Sequence, residues 1–231
     1  MGETSRDVYG MDPSRTEDYE QLRLEVIRER WDRKAERWDA DLADRGCHLN
    51  EDGAYDRYLA AAEAEVARRA DFCRRSVLVD LGCGTGQILA QFIDRFASGV
   101  GVDISPEMLA VAARRGLPRT RLLVHNGFEL ASQVGGAGAV LSRGILLSHY
   151  GPRRAPLLLE QVCRALGPGG FALVDFLNAS ARHRYASNPA NKTYFEAEEA
   201  LKMARQAGFA RASILGEPDR RVLMLLAEMG D

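Results

Sequence analysis

The first part of the chain shows the three- to four-residue spacing of apolar positions that is typical of amphipathic helices. In the range 16–42 apolar residues recur at this spacing, and Trp31 and Trp38 fall on the same face. Thr16 has a side chain that can cap the first turn of this helix. A second stretch, 53–69, has the same periodicity. The pattern therefore predicts two helices before the first strand.

From residue 76 onward, short apolar runs alternate with helical stretches. This alternation is typical of a parallel sheet with helices on both faces, so we predict an α/β fold with a doubly wound sheet. A capping box, Thr193 with Glu196, is predicted to open the last helix, and a hairpin of two strands follows at 212–215 and 222–227. The five preceding strands are predicted at 77–80, 99–102, 121–124, 139–142 and 171–176.

The same patterns divide the chain into three parts. Residues 1–15 are polar and contain glycine and proline, and we expect a mobile tail there. Residues 16–72 form a helical cap, and 73–231 form the α/β domain. Within this domain the range 178–194 is a long polar loop between a strand and a helix. Loops of that length are usually functional or mobile, so we interpret it as a ligand-binding lid, with a plain surface insertion as an equal alternative.

The most informative stretch is the glycine turn at the end of the first strand. Asp80 is followed by Gly82, Gly84 and Gly86, and then by a helix. Glycine permits positive φ angles and lets a ligand approach the backbone closely. The negative charge of Asp80, however, repels a pyrophosphate and attracts an ammonium group or a ribose hydroxyl. The turn therefore predicts a site for a nucleoside with a cationic tail.

Two other nucleotide-binding fingerprints are not matched by this turn. The dinucleotide pattern requires glycine where the chain has Gln87, and no Gly-Lys-Ser/Thr follows as in a phosphate loop. Asp103 stands at the tip of the second strand, about 20 residues after the first glycine, where an acid can accept hydrogen bonds from both ribose hydroxyls. The alternative interpretation of Asp103 is a helix cap near Ser105 and Pro106.

Composition narrows the possible partners. The formal net charge is -2 with 28% charged residues, so the chain has no strong basic field for nucleic acid or an anionic membrane. The sequence contains no stretch of about 18 apolar residues, so no membrane-spanning helix is predicted. The cysteines lack the paired spacing of a metal site or disulfide framework, so we expect no metal, reduced thiols and a cytoplasmic protein. These cysteines are Cys47, Cys73, Cys83 and Cys163.

The pattern Asp80-x-Gly82-x-Gly84-x-Gly86 resembles motif I of the class I S-adenosylmethionine-dependent methyltransferases. Residues 103–109 resemble motif II of that family, and 31–39, with two aromatic-acid pairs around an alanine, resemble the N-terminal cap helix of its small-molecule members. The resemblance extends over residues 31 to 229. It implies a Rossmann-like, seven-stranded, mostly parallel sheet with an antiparallel last strand beside strand five, and S-adenosylmethionine as the cofactor.

The resemblance also implies roles for residues at three strand ends. Asp103 is expected on the ribose, with Ile104 and Met108 against the adenine. Family members usually carry Gly-Asp-Ala after the third strand; here Asn126 stands in place of the acid, and its amide oxygen can accept the same bond from the adenine amino group. The expected cofactor-binding residues are Asp80, Gly82, Cys83, Gly84, Gly86, Asp103, Ile104, Met108, Asn126, Gly127, Phe128 and Arg143.

The acceptor is expected at the end of the fourth strand, where residues 143–150 resemble motif IV of small-molecule methyltransferases. The Asn/Asp-Pro-Pro-Tyr/Phe sequence of enzymes that methylate nucleobase amines is absent there. His149 is the candidate for orienting or deprotonating the acceptor, although a lone histidine is more often structural. Aromatic residues are expected to bind the acceptor or face the sulfonium, with core packing as the alternative for the two tryptophans. They are Trp31, Trp38, Tyr150 and Tyr185.

These features predict methyl transfer to an oxygen or nitrogen of a small metabolite, with natural-product biosynthesis as the expected setting. No metal, nucleic acid or membrane takes part in this prediction, and the oligomeric state is left open. The alternative is a protein of the same fold that binds S-adenosylmethionine without methylating, structurally or for another reaction such as cyclisation. Gln87 disfavours an NAD-dependent oxidoreductase, and the lack of a basic excess disfavours a methyltransferase acting on RNA or protein.

Overall fold

The structure is a computed structural model. The residues that it describes are 16–43, 51–144, 146–184 and 192–230. Several positions singled out from the sequence lie outside the described residues. They are the tail at 1–15, Cys47, Tyr185 and the middle of the polar loop at 185–191.

Within the described ranges, seven strands form one sheet. The strands are β1 (Val77–Leu81), β2 (Ser98–Asp103), β3 (Thr120–Val124), β4 (Ala137–Ser142), β5 (Leu166–Leu177), β6 (Arg211–Leu215) and β7 (Val222–Glu228). They lie in the order β3-β2-β1-β4-β5-β7-β6. Pairing is parallel from β3 to β5, whereas β7 runs antiparallel to both β5 and β6. The predicted α/β class and the antiparallel last strand beside strand five are confirmed.

The helices of the described part fall into an N-terminal group and a group that alternates with the strands. The first group contains α1 (Thr16–Asp32), α2 (Trp38–Ala43), α3 (Ala54–Arg68) and α4 (Ala70–Cys73). The second contains α5 (Gln87–Phe92), α6 (Pro106–Arg114), α7 (Leu130–Gln133), α8 (Ala155–Ala165) and α9 (Ala197–Ala207). Among these described helices, none is both long and apolar enough to cross a membrane.

Three details of the secondary structure differ from the sequence prediction. The single helix expected over 16–42 is interrupted after α1, and a 3₁₀ turn at Ala35–Arg37 joins it to α2. β5 starts directly after α8, five residues earlier than predicted, because the glycine-rich turn continues into the strand. The capping box of α9 uses Glu196 as the cap and Glu199 as its partner, so the predicted pairing of Thr193 with Glu196 is wrong.

Each face of the sheet carries its own hydrophobic cluster. In β5, Ala172 and Val174 belong to one cluster, and Phe171 and Leu173 belong to the other. This alternation is the two-residue period of a strand whose two faces are both covered. Residues of α8 and α9 pack in the first cluster, and residues of α3 and α5 pack in the second. The strands are therefore fixed in register, and their carboxyl ends meet at one edge of the sheet.

The topology locates the functional edge of the fold. The strand order reverses at β1, because the chain adds β2 and β3 on one side of β1 and then adds β4 on the other side. In open α/β sheets, ligands bind outside the carboxyl ends of the strands at such a switch point. The loops after β1, β2 and β4 are therefore the expected binding loops.

Helix α3 is attached to the sheet by a buried tyrosine. Tyr58 is 1% exposed, and its hydroxyl donates a 3.0 Å hydrogen bond to the Leu173 carbonyl of β5. Tyr58→Phe should lower the free energy of unfolding by about 1 kcal/mol, the net worth of one hydrogen bond. Tyr58→Ala should lower it by about 3–5 kcal/mol, because it also leaves a cavity. Urea denaturation measures both, and equal effects of the two variants would show that the ring contributes no packing.

Candidate functional site

A cavity with an empty volume of about 980 Å³, part of which is open to solvent, lies at the carboxyl ends of β1, β2 and β4. Many residues predicted from the sequence lie in its wall, namely Trp31, Trp38, Asp80, Gly82, Cys83, Gly84, Asp103, Ile104, Met108, Asn126, Arg143, His149 and Tyr150. Gly86, Gly127 and Phe128 do not line it, and Tyr185 lies outside the described residues. The structure thus gathers most of the predicted set at one place.

The glycine loop after β1 is shaped by backbone conformation. Gly82, Gly84 and Gly86 have φ angles of +77°, +51° and +81°, a region that residues with a side chain rarely adopt. A Cβ at Gly82 or Gly84 would meet its nearest neighbours at 3.5 and 3.8 Å, which is ordinary contact. The first two glycines are therefore required by the path of the chain more than by lack of space.

The amide groups of this loop are already used inside the protein. The N–H groups of Gly82 and Cys83 donate to the Val102 carbonyl at 2.7 and 3.0 Å, and the Gly84 N–H donates to Asp103 at 2.8 Å. A pyrophosphate site needs such groups to point at the ligand. Because three consecutive amides are bonded to β2 and its end, the loop does not form a phosphate cradle, in agreement with the argument from Asp80.

Asp80 is a buried acid at the end of β1. It is 1% exposed, it lines the cavity, and its Oδ2 has no hydrogen-bond partner among the described residues. Burial raises the pKa of this carboxyl to about 8, and the charge of Asp103 acts in the same direction, while the Leu89 N–H and Arg143 oppose it. A carboxylate in this position is costly unless a partner neutralises it. A cationic ligand group is the partner that its chemistry suits.

Asp103 at the end of β2 is held by two backbone amides. Its Oδ2 accepts the Gly84 N–H at 2.8 Å, and its Oδ1 accepts the Ser105 N–H at 2.9 Å. Burial raises the pKa of this carboxyl to about 6, although the two amide hydrogen bonds favour the charged form and so lower the pKa. Each carboxylate oxygen can accept a further hydrogen bond, so a ligand diol can be bound by both. The alternative of a helix cap is excluded, because Ser105 caps α6 through its own hydroxyl.

The loop after β3 differs in part from the prediction. Asn126 lines the cavity, but its amide oxygen accepts the Phe128 N–H at 3.0 Å, so one acceptor position is used in a local turn. Phe128 does not line the cavity; its ring packs edge-on against Tyr150 at 4.8 Å and lies under the guanidinium of Arg154 at 4.3 Å. Ile104 and Met108 line the cavity with apolar side chains.

The helical cap is fastened over the cavity by the acids of its two aromatic-acid pairs. Asp32 accepts a 2.5 Å hydrogen bond from the Ser105 hydroxyl. Asp39 accepts bonds from the Thr85 hydroxyl at 2.5 Å and the Gln87 amide at 2.9 Å, and also pairs with Arg115. These contacts bring Trp31 and Trp38 to the cavity wall, where their rings meet edge-on at 4.9 Å.

Several wall residues were missed from the sequence alone. They are Ile27, Tyr55, Thr85, Gln87, Ile88, His125 and Leu146, with Leu81 and Gly144 contributing at strand ends. Gln87 carried a usable signal, because it replaces the third glycine of the dinucleotide pattern. The structure shows that its amide oxygen accepts the Tyr55 hydroxyl at 3.2 Å while its NH₂ group donates to Asp39. Gln87, the residue that breaks the dinucleotide pattern, thus links α3 and α2 to the end of the glycine loop.

The end of the cavity after β4 carries positive and aromatic groups. Arg143 stacks over the ring of Tyr55 at 4.2 Å, and His149 lies 6.2 Å from Trp31 between ring centroids. Lys192 Nζ lies 2.8 Å from Nδ1 of His149, a contact that nothing in the sequence indicated. Within the described part of the chain, no group of three or more His, Cys, Asp or Glu side chains is arranged to hold a metal ion.

Comparison with known proteins gives both a family domain and a fold. Residues 78–170 match the family model described as a methyltransferase domain. The trans-aconitate 2-methyltransferase of Deinococcus radiodurans is 36% identical over 113 residues, which cover 48% of this chain and 40% of that protein. The matched stretch therefore spans less than half the length of this curated relative.

Among solved structures, the magnesium protoporphyrin IX methyltransferase of Synechocystis PCC 6803 with bound SAM has a TM-score of 0.66 at 16% identity, covering 90% of this chain and 97% of that one. The 4+2 cyclase SpnF has a TM-score of 0.58 at 19% identity, covering 74% and 80%. At these identities the likeness shows the fold alone. That fold is the one predicted from the sequence.

The raised pKa of Asp80 makes the ligand-free protein less stable as the pH rises. The acid binds its proton more tightly in the folded state, so its stabilising contribution is complete below about pH 4 and is lost as the pH rises towards 8. We expect the free energy of unfolding to fall by about 2–5 kcal/mol over this range. Asp103 adds to the fall only up to about pH 6.

Asp80→Asn should remove the fall between pH 6 and 8, because the amide does not titrate. Urea denaturation at a series of pH values measures this. Asp94→Asn is the matched control, since the Asp94 side chain is 87% exposed. If the free energy of unfolding of Asp80→Asn fell with pH as steeply as that of the wild type, Asp80 would not be the group responsible for the fall.

Proposed function

We propose that this chain is a class I S-adenosylmethionine-dependent methyltransferase and that it transfers a methyl group to an oxygen or nitrogen of a small metabolite; the methyltransferase domain matched at residues 78–170 and the shared fold support this proposal. The observation that carries the proposal is the pair of acids, Asp80 and Asp103, on either side of a glycine loop whose amides are already bonded. A cationic nucleoside fits this arrangement, and a dinucleotide does not.

The methyltransferase domain and the structures of this fold solved with SAM or SAH bound support S-adenosylmethionine as the cofactor. The cavity also fits this group on its own chemistry. Asp80 offers a buried oxygen without a partner to an ammonium group, and Asp103 offers two acceptors to a ribose. When bound, S-adenosylmethionine supplies a methyl group made electrophilic by its sulfonium.

The protein then has to position the two reactants and exclude water. We propose that Asp80, with Gly82 and Gly84, holds the methionine end of the cofactor, and that Asp103 holds the ribose. The adenine would lie against Ile104 and Met108. In this proposal Gly86, Gly127 and Phe128 support the binding loops from outside the cavity.

The acceptor would occupy the β4 end of the cavity. Trp31 and Tyr150 form its aromatic wall there, and His149 lies between that wall and Lys192. We propose that Trp38, which lies near the glycine loop, shields the cofactor. Natural-product biosynthesis and a cytoplasmic location stay predictions.

A protein that binds the cofactor without methylating is the second candidate. The likeness to a cyclase of the same fold supports keeping it. The two candidates differ in product, because only methyl transfer forms S-adenosylhomocysteine. Incubation with S-adenosylmethionine and extracts from the source cell, followed by mass spectrometry, distinguishes them.

Calorimetric titration with S-adenosylmethionine tests the cofactor site. Asp103→Ala should weaken binding by about 10- to 100-fold, since hydrogen bonds to a charged group contribute about 1.5–3 kcal/mol. The matched control, Asp94→Ala, removes an exposed acid outside the cavity and should bind like the wild type. Thermal unfolding of both variants checks that the fold is kept. Undetectable binding by the wild type would refute the proposal.

Binding should also release a proton from Asp80. At pH 7 this acid is mostly protonated in the ligand-free protein, and an ammonium group beside it favours the charged form. Titrations in phosphate and Tris, which have different ionisation enthalpies, should therefore show release of close to one proton at pH 7 and none above about pH 9.5. Asp80→Asn should abolish the release. Equal heats in both buffers would place the ammonium elsewhere.

A further inference from the structure

The contact between Lys192 and His149 fixes which imidazole nitrogen carries the proton. The two atoms, Lys192 Nζ and His149 Nδ1, are 2.8 Å apart. An ammonium group has donors only, so Nδ1 must be the acceptor. The imidazole is then neutral with its proton on Nε2, and a second proton on Nδ1 would meet the ammonium charge at close range. His149 is therefore arranged as a hydrogen-bond donor.

The fold builds this contact from two sides. The Thr193 N–H donates to the Ser148 carbonyl at 2.8 Å, which attaches the last residues of the polar loop to the 3₁₀ turn Leu146–His149. The Ser148 hydroxyl in turn accepts the Leu177 N–H at 2.8 Å. Ser148 is fully buried, so the residues next to Lys192 and His149 are held by the end of β5.

The other histidine and the two tyrosines of the described cavity wall also make hydrogen bonds within the protein. His125 accepts the Gly127 N–H through Nδ1 at 3.0 Å. The Tyr55 hydroxyl donates to Gln87, and the Tyr150 hydroxyl donates to the Asn126 carbonyl at 3.4 Å. The Nδ1 lone pairs of both histidines are therefore engaged by donors, and both phenols carry their own protons, so this arrangement does not provide a base for deprotonating an acceptor.

Charge is divided between the two ends of the cavity. Among the described wall residues, the carboxylates are Asp80 and Asp103, at the ends of β1 and β2. At the end of β4 the charged wall residue is Arg143, and Lys192 lies beside His149; the charge of Arg143 also lowers the pKa of Asp80, and the buried Asp175 accepts the Gly144 N–H at 3.1 Å. The two cations outnumber the carboxyl of Asp175, so this end favours an anionic acceptor, and the end with Asp80 and Asp103 favours the cationic cofactor.

Resting on the proposed function, we propose that the acceptor is a carboxylic acid, that His149 donates from Nε2 to its carboxylate, and that Lys192 is the positioning residue that sets this tautomer. A carboxylate is already ionised at neutral pH, so it needs no base. One carboxylate oxygen forms the new bond to the methyl carbon, and the carbon–sulfur bond breaks with its electron pair left on sulfur. The products are a methyl ester and S-adenosylhomocysteine, with no proton lost.

Binding of a matched pair of probes tests the charge requirement without turnover. Phenylacetate and phenylacetamide have the same shape, and each is titrated into the protein saturated with S-adenosylhomocysteine. Phenylacetate should bind more tightly than the amide. Lys192→Met should weaken phenylacetate binding by about tenfold or more, Lys192→Arg should retain most of it, and the exposed-lysine control Lys202→Met should match the wild type. Equal binding of the two probes, or no effect of Lys192→Met, would overturn the proposal.

The tautomer is a readout that a merely structural lysine would not change. Nitrogen chemical shifts of labelled histidine, assigned with His149→Gln, should show His149 as the Nε2–H form in the wild type and in Lys202→Met. Lys192→Met should show a mixture of tautomers or a charged ring near neutral pH. A wild-type ring protonated on Nδ1 would overturn the proposal.

The product distinguishes this inference from the proposed function. The protein is incubated with methyl-labelled S-adenosylmethionine and extract of the source cell, and the labelled product is treated with dilute alkali. A methyl ester releases the label as methanol, whereas methyl ethers and methylamines keep it. Alkali-stable label would overturn the carboxylate acceptor and leave methyl transfer standing. No labelled product, with no cofactor binding, would count against the proposed function itself.

Discussion

The candidate site depends on one buried acid whose charge is offset only in part, by Arg143 and by the Leu89 N–H. Asp80 sits at the end of the central strand, excluded from water, with one oxygen unbonded among the described residues. A charged carboxyl in this position costs stability, and the raised pKa of Asp80 reflects that cost. Strongly shifted pKa values cluster at functional sites, where a bound ligand can supply the missing charge. The neighbouring amides of the glycine loop bond to β2, so the negative charge of Asp80 acts on the ligand without a competing positive backbone.

The same logic extends to the helical cap. Exposed ion pairs contribute little, and the pair of Glu36 with Arg114 belongs to that class. Asp32 and Asp39 differ from such exposed pairs, because each accepts a hydrogen bond from a buried hydroxyl. Asp32 bonds to Ser105, and Asp39 bonds to Thr85. The acids that fasten the cap therefore bond to the loops that we propose to bind the cofactor. One set of contacts sets both the position of the cap and the shape of the proposed cofactor site.

The sequence was sufficient to predict the fold and most of the residues that line the cavity at the ends of β1 and β2, because both depend on local patterns. Strand periodicity and the glycine spacing are encoded within a few residues, and Asp103 lies one strand away from the turn. The sequence was insufficient where contacts join distant segments. Phe128 was expected to contact the cofactor, but its ring packs against Tyr150. The sequence around Phe128 does not indicate this contact, because Tyr150 comes from a different loop. Lys192 lies 43 residues from His149, and no periodicity links the two.

The relation between Lys192 and His149 also changes how the histidine is understood. From the sequence, a histidine after the fourth strand was a candidate base, because an isolated imidazole can both accept and donate. An ammonium at Nδ1 removes that freedom and leaves only donation. An acceptor that arrives as an anion needs orientation more than deprotonation, and it is drawn towards a sulfonium by charge as well as by position. The opposite charges at the two ends of the cavity would then hold each reactant at its own end.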